Sequence, residues 1–124
     1  GSRDYPYPER VHYQLDRFLK HAVTEFVPLV VIHGANPRGA DAAAAAWCKK
    51  YKTRADIREE PWPADWDGLG KTAGFDRNAD MVNRMHHLCL AFWDGKSKGT
   101  LHCFTKAVKK GIRVRIIPAA REAI

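Results

Sequence analysis

Leu29-Val30-Val31-Ile32, followed by His33-Gly34-Ala35-Asn36-Pro37-Arg38-Gly39-Ala40-Asp41, decides how the chain folds. The first four residues are apolar without interruption and largely β-branched, as a strand covered on both faces must be. Pro28 precedes them and ends whatever comes before. Beyond Gly39, five consecutive alanines and Trp47 favour a helix from Asp41 to Lys50 that packs closely on a sheet. Strand, glycine-bearing turn and helix in that order predict a βα unit whose turn lies at the carboxyl end of the strand.

The same pattern extends in both directions. Val11, Leu15, Phe18, Leu19, Ala22, Val23 and Phe26 mark one face of a helix over about Glu9–Phe26, with Pro8 suited to its first turn. Downstream, Thr53–Glu59 reads as a polar peripheral strand and Glu60–Gly74 as a long loop without a clear period. Phe75–Met85 then reads as a helix, His87–Trp93 as a second buried strand, Ser97–Lys110 as a helix and Ile112–Ile117 as a last strand. Alternation of helix and strand predicts an α/β fold, a Rossmann-like parallel sheet with helices on both faces. The chain of 124 residues is sized for one domain. A doubly wound sheet ordinarily has a strand before its first helix. Here Gly1-Ser2-Arg3-Asp4 leads straight into one, so either a first strand precedes Gly1 or the domain opens on a helix.

Composition narrows the classes of function. No apolar run approaches the roughly 20 residues of a membrane span, and no secretory signal stands at the start. Cys48, Cys89 and Cys103 are odd in number, widely spaced and without a CxxC pair. A disulfide framework and a zinc site are therefore not expected, and a reducing cytoplasm is. No resident cofactor is expected either. The net charge of +7 suits phosphate-rich partners, although Lys49-Lys50 and Lys109-Lys110 complement helix C-termini without any partner. Four tryptophans in a small domain suggest a homo-oligomer, with contact through Trp47 or the loop bearing Trp62.

Three segments carry chemistry. In His33–Asp41, glycines let a ligand approach the backbone and the helix start offers N–H groups to an anion, with Asp41 placed for a sugar hydroxyl. A tight turn in which Asp41 merely charges the helix start explains the same residues. Asp94-Gly95-Lys96-Ser97-Lys98-Gly99-Thr100 also follows a buried strand, and Ser97 and Thr100 suit capping or phosphate oxygens. It is neither a Walker loop nor the Gly-x-Gly-x-x-Gly fingerprint. In the third segment, Pro63 through Asn78, Trp66 suits stacking on a base, Lys71 and Arg77 suit phosphate, and Asp65 and Asn78 stand beside them. Gly34, Arg38, Gly39, Asp41, Lys71, Arg77, Asn78, Ser97, Gly99 and Thr100 are expected to converge on one cleft. The alternative for Arg77 is a structural ion pair with Asp65 or Asp76. Spacing yields no Ser-His-Asp triad and no metal set: of the six histidines only His33 sits where chemistry is expected.

Together these segments resemble the YspA/YpsA-related branch of the SLOG superfamily. The resemblance rests on Gly1-Ser2-Arg3-Asp4, His33-Gly34 with Gly39-Ala40-Asp41, Pro63-Ala64-Asp65-Trp66 through Gly70-Lys71-Thr72-Ala73-Gly74, Arg77-Asn78 with Met81, and Gly95 with Gly99-Thr100. It covers nearly the whole chain and implies a Rossmann-like fold common in phages and bacteria. It also implies a nucleotide-derived ligand of nucleotide or ADP-ribose type, held for sensing or sequestration, with Ser2, Arg3, Asp4 and His33 joining the site. On it, Gly1–Asp4 is the loop after a first strand. Relatives include Lonely Guy phosphoribohydrolases and DNA-processing protein A, so N-glycosidic hydrolysis of nucleoside monophosphates and single-stranded DNA binding are the alternative functions. Lonely Guy enzymes carry Pro-Gly-Gly-x-Gly-Thr-x-x-Glu, whereas here Gly99-Thr100-Leu101-His102 is followed by Cys103. A cysteine there does not replace the carboxylate that stabilises an oxocarbenium-like state, so no catalytic residue is expected. DNA binding is not favoured, because aromatic and basic residues do not alternate in a stripe.

Overall fold

The structure, a computed structural model, describes residues 1–85 and 87–119, with Lys71 described in its backbone alone. The elements in chain order are α1 (Pro8–Thr24), β1 (Leu29–His33), α2 (Gly39–Lys50), β2 (Ile57–Pro61), α3 (Trp66–Leu69), a 3-10 turn (Gly70–Thr72), α4 (Ala73–Arg84), β3 (Leu88–Trp93), α5 (Lys98–Lys109) and β4 (Arg113–Pro118). The protein is an α/β fold with parallel strands, as the alternation of elements requires. β1 pairs with β2, Leu29 opposite Ile57, and β3 pairs with β4, Leu88 opposite Arg113. Among the described residues these are two two-stranded sheets, with no ladder joining β1 to β3.

Side-chain alternation along β3 places helices on both of its faces. Phe92 is buried with Val11, Leu15 and Leu19 of α1 and with Ala40, Ala43, Ala44 and Trp47 of α2, and Leu90 packs on the same group. Cys89 and Ala91, on the opposite face, are buried with Val82 of α4 and with Phe104 and Ala107 of α5. Val31 of β1 belongs to the first cluster, so α1 and α2 cover a core bounded by both sheets. The alanine run of α2 serves this packing, and Trp47 fills it at 1% exposure with its indole N–H on Asp16 (2.9 Å). Trp47 therefore offers no surface for self-association, which corrects the expectation that its helical face forms such a contact.

Several boundaries differ from the sequence reading for local reasons. The polar strand begins at Ile57 instead of Thr53 and runs on to Pro61. Tyr51 to Arg54 are held in a turn, with Tyr51 N–H on Cys48 O and Arg54 N–H on Tyr51 O. Residues 60–74 are not one irregular loop. Asp65 accepts the Gly68 N–H at 2.9 Å and caps α3, which runs through the 3-10 turn into α4. α4 starts at Ala73 and β3 at Leu88. No helix among the described residues is long and apolar enough to cross a membrane.

Candidate functional site

The β1–α2 loop is held from within. His33 is buried, and its Nδ1 accepts the Ala35 N–H (3.0 Å), which places the proton of the neutral ring on Nε2, where it donates to Glu59 (2.7 Å). Ala35 takes a left-handed φ of 57° at this bend. Asn36 N–H reaches Asp41 Oδ2 and Arg38 N–H reaches Asn36 Oδ1. Ala40 N–H is taken by Ser2 O. Gly39 has φ +75°, and a Cβ there would stand 2.4 Å from Ser2 O, so no other residue fits between α2 and the N-terminal segment. The N–H groups of Ala35, Asn36, Arg38 and Ala40 are thus already bonded within the protein.

Asp41 is 5% exposed and accepts from the Gly1 nitrogen (3.0 Å). Burial works against its charge, but the Gly1 ammonium and the Asn36 N–H outweigh it and hold the carboxyl below its ordinary value of 3.8. A carboxyl depressed on folding contributes stability in full above the unfolded value and loses it as pH falls through the lower folded value. In the 124-residue chain, whose Gly1 nitrogen is an ammonium, Asp41→Asn is therefore expected to flatten the acid limb of a stability-against-pH curve below pH 3.8. Urea midpoints across that range check this, and an unchanged limb would remove Asp41 from acid unfolding.

The second loop carries its own anion. Asp94 Oδ1 accepts from Lys96 N–H (2.9 Å) and Ser97 N–H (2.8 Å). Burial again opposes its charge, and these two N–H groups with the Ser2 hydroxyl keep the carboxyl low. Ser97 caps α5 by accepting the Thr100 N–H. Buried Thr100 bonds the hydroxyls of Ser97 (3.1 Å) and Ser2 (3.0 Å), and Ser2 also accepts the Asp94 N–H. Ser2 and Thr100 stitch the N-terminal segment to α5 inside the protein. Gly95, at φ +84°, turns in open space.

A cleft of about 220 Å³ lies between the first loop and the segment after β2. Gly34, Ala35, Asn36 and Pro37 form one wall, and Pro63, Ala64, Trp66 and Arg77 the other. Trp66 is 60% exposed and its ring edge lies over Gly74. Arg77 reaches from α4 to the first loop and to the end of β2. Nη1 donates to the carbonyls of Gly34 and Trp62, and Nε donates to Asn78 Oδ1 (2.9 Å). Buried Asn78 passes the link on, donating to Gly99 O (3.0 Å). Arg77 pairs with neither Asp65 nor Asp76: Asp65 caps α3, and Asp76 accepts from Thr72 (2.9 Å). Among the described residues Nη2 has no hydrogen-bond acceptor and the guanidinium makes no salt bridge, although Nη1 and Asp41 Oδ2 both crowd Gly34, each 2.7 Å from where a Cβ would stand.

The chain is 44% identical over 87 residues to the Gene 61 protein of Mycobacterium phage D29, an alignment covering 69% of each chain. It belongs to the Gene 61 protein family. No family model matches it, and no solved structure is significantly similar.

In this Gene 61 relative the expected site residues divide into groups. Gly34, Trp66 and Arg77 line the cleft, and Asn78 stands behind Arg77. His33, Gly39 and Asp41 shape the loop that forms one wall. Asp4 and Arg38 pair with each other at the surface (2.7 Å), and Arg3 is exposed. Ser2, Gly95, Ser97, Gly99 and Thr100 do not line the cleft; Gly99 adjoins it through Asn78. The side chain of Lys71 lies outside the described residues. Pro37 and Pro63 also line the cleft but are not among the site residues read from the sequence; their only signal is a proline beside each glycine- or acid-bearing turn. Cys103 is half-buried in α5, and burial pushes its thiol up, so it is a neutral group at neutral pH. No group of three or more metal-ligating side chains occurs among the described residues.

Proposed function

We propose that the protein binds a phosphate-bearing, nucleotide-derived ligand of nucleotide or ADP-ribose type in the Gly34–Arg77 cleft, for sensing or sequestration, as a SLOG-type domain. One observation carries the reading: a guanidinium with an unfilled Nη2 edge and no salt bridge, set beside an exposed indole at the carboxyl ends of parallel strands. Arginine matches the planar oxygens of a phosphate, and its orientation is fixed in advance by two carbonyls and Asn78. Trp66, 60% exposed, gives a base a flat apolar face. The carboxylate of Asp94 disfavours a second anion at the α5 loop, so the phosphate belongs with Arg77. A neutral Cys103 thiol supplies no charge for cleaving a glycosidic bond, which supports retention of the ligand over turnover.

Calorimetry with ADP-ribose, AMP and orthophosphate tests this. Trp66→Ala is expected to weaken the two adenosine ligands about 5- to 100-fold, the loss of one stacked base, while orthophosphate binding and Tm stay put. Native mass spectrometry of protein purified from cells should show a co-purifying nucleotide. Absence of heat with all three ligands, or equal affinities for wild type and Trp66→Ala, would overturn the reading.

A further inference from the structure

β4 pairs with β3 on one side, and its other side is open. In a parallel ladder a residue turns both of its backbone groups to one neighbour, and the next residue turns both the other way. Trp93 O accepts the Ala119 N–H, so Arg113, Arg115 and Ile117 are the residues of β4 that face β3. Val114 and Ile116 then turn N–H and C=O outward, and among the described residues those four groups have no partner. Pro118 ends this edge. It offers no N–H, and its carbonyl accepts from Arg10 (2.7 Å).

The two faces beside the edge differ in chemistry. Val114 packs with the α4–α5 cluster and Ile117 with the α1–α2 cluster. Alternation therefore puts Ile116 on the first face and Arg113 and Arg115 on the second. On the first face Ile116 is 45% exposed. Leu101 and Val108 of α5, about two turns apart, are 42% and 58% exposed. They lie on the flank of α5 away from α4, since His102 and Lys110 mark the side that meets α4 through Phe75 and the Val82 carbonyl. On the second face Arg113 and Arg115 are exposed, and neither makes a salt bridge among the described residues. Residues 95–119 hold seven lysines and arginines and no acid, which equals the net charge of +7 of the whole chain. The positive excess of the protein is thus gathered on α5, β4 and the turns around them.

We propose that the outer edge of β4 is a docking site for an extended acidic segment of a partner protein, added to the sheet as a further strand. Beside Arg113 and Arg115 the added strand carries Asp or Glu, and beside Val114 and Ile116 it carries apolar side chains that cover Leu101 and Val108. The recognised pattern is therefore acid and apolar residue in alternation, with main-chain bonds to Val114 and Ile116 supplying the common part of the affinity. A second copy of this chain does not fit, because pairing β4 with β4 sets arginine opposite arginine. A nucleic-acid backbone answers the charge but leaves the four backbone groups and the apolar strip unmet. The outer edge of β2 lacks the combination: Glu59 bonds His33, Glu60 bonds Arg84, and Pro61 removes an outward donor. The Gly34–Arg77 cleft takes no part, so this proposal stands or falls apart from ligand binding there.

Amide hydrogen exchange and fluorescence anisotropy on the 124-residue chain test this, with the capped peptide Glu-Val-Glu-Val-Glu-Val-Glu as probe. Saturating peptide is expected to slow the Val114 and Ile116 amides about 10-fold or more, and those of Arg115 and Ile117, already laddered to β3, much less. The block peptide Glu-Glu-Val-Val-Val-Glu-Glu should bind at least about 10-fold more weakly, as should the original peptide to Arg113→Glu/Arg115→Glu. That variant should keep its Tm, because both side chains are exposed, and should come to prefer Lys-Val-Lys-Val-Lys-Val-Lys. Equal affinity for the alternating and block peptides would reduce the face to bulk charge and overturn the proposal. So would Val114 and Ile116 amides unmoved by peptide, or a short DNA duplex that binds through Arg113 and Arg115 where the peptide does not. Protection of those two amides in the free chain would overturn it as well. Sedimentation then assigns the edge to a second copy, if dimeric, or to the chain itself, if monomeric.

Discussion

Trp47→Ala is expected to destabilise the protein by about 3–5 kcal/mol, the usual cost of deleting a large aromatic side chain from a core. For a domain of this size that is a fall in Tm of roughly 10–20 °C. The indole is the largest fully buried side chain among the described residues, tilted against Tyr51 with ring centroids 4.8 Å apart and packed among the alanines of its own helix. Small neighbours cannot close the space, so the cavity persists. Trp47→Phe separates packing from polarity. It keeps most of the ring volume but leaves the exposed Asp16 carboxylate without its 2.9 Å donor, and the expected loss is about 1 kcal/mol beyond the volume change. Denaturant unfolding of both variants checks the pair. A loss below about 1 kcal/mol for Trp47→Ala would mean that α1 and α2 do not clamp the indole as described.

Arg77→Ala is expected to cost about 3–5 kcal/mol of stability even without ligand, because three bonds from a charged donor are lost and two carbonyls lose a donor. Arg77 thus has the kind of structural role that an ion pair with Asp65 or Asp76 would have given it, made instead with two carbonyls and Asn78. The bonds to Gly34 and Trp62 tie the β1 turn to the strand end of β2, and the bond to Asn78 carries the tie to Gly99. Arg77→Lys keeps the charge but has one ammonium for a forked set of acceptors, so it should recover less than half of the loss. Thermal melts decide this. A Tm of Arg77→Ala within about 2 °C of wild type would show that the guanidinium is not a strut. For that reason Trp66, and not Arg77, is the residue whose replacement reads ligand binding alone.

The elements legible in the sequence were those whose pattern is set by neighbours close along the chain. Leu88–Phe92 announces itself because a strand covered on both faces has no polar side to show; Leu29–Ile32 has the same apolar run, although the structure covers only its Val31 face and leaves Val30 37% exposed. α1 is equally plain, since Val11, Leu15 and Leu19 repeat at helical spacing. β2 was misplaced because Arg58, Glu59 and Glu60 alternate with nothing apolar, and only the ladder with β1 fixes their register. α3 was missed because one turn of helix capped by Asp65 leaves no period. At the site, the strand-to-helix turns were legible as turns, but not the direction of their hydrogen bonds. The two bonds from Arg77 to carbonyls span 43 and 15 residues, and the bond from Gly1 to Asp41 spans 40. No spacing rule reaches so far, so residues read as ligand contacts turn out to be bonded first to one another.

The distribution of cysteines has a practical consequence. Cys48 lies in the cluster under α1 and α2, and Cys89 in the one under α4 and α5. Burial, with Glu59 nearby, pushes the Cys48 thiol up to about 11; burial, with Cys103 nearby, pushes Cys89 up to about 12. Both are shielded and protonated in the native state, and alkylating reagents need a thiolate they can reach. Each cysteine is therefore a silent clock for its own half of the molecule, started only when that half opens. Comparing the two alkylation rates by mass spectrometry of peptide fragments reports whether the halves breathe together or apart, with no substitution in the protein.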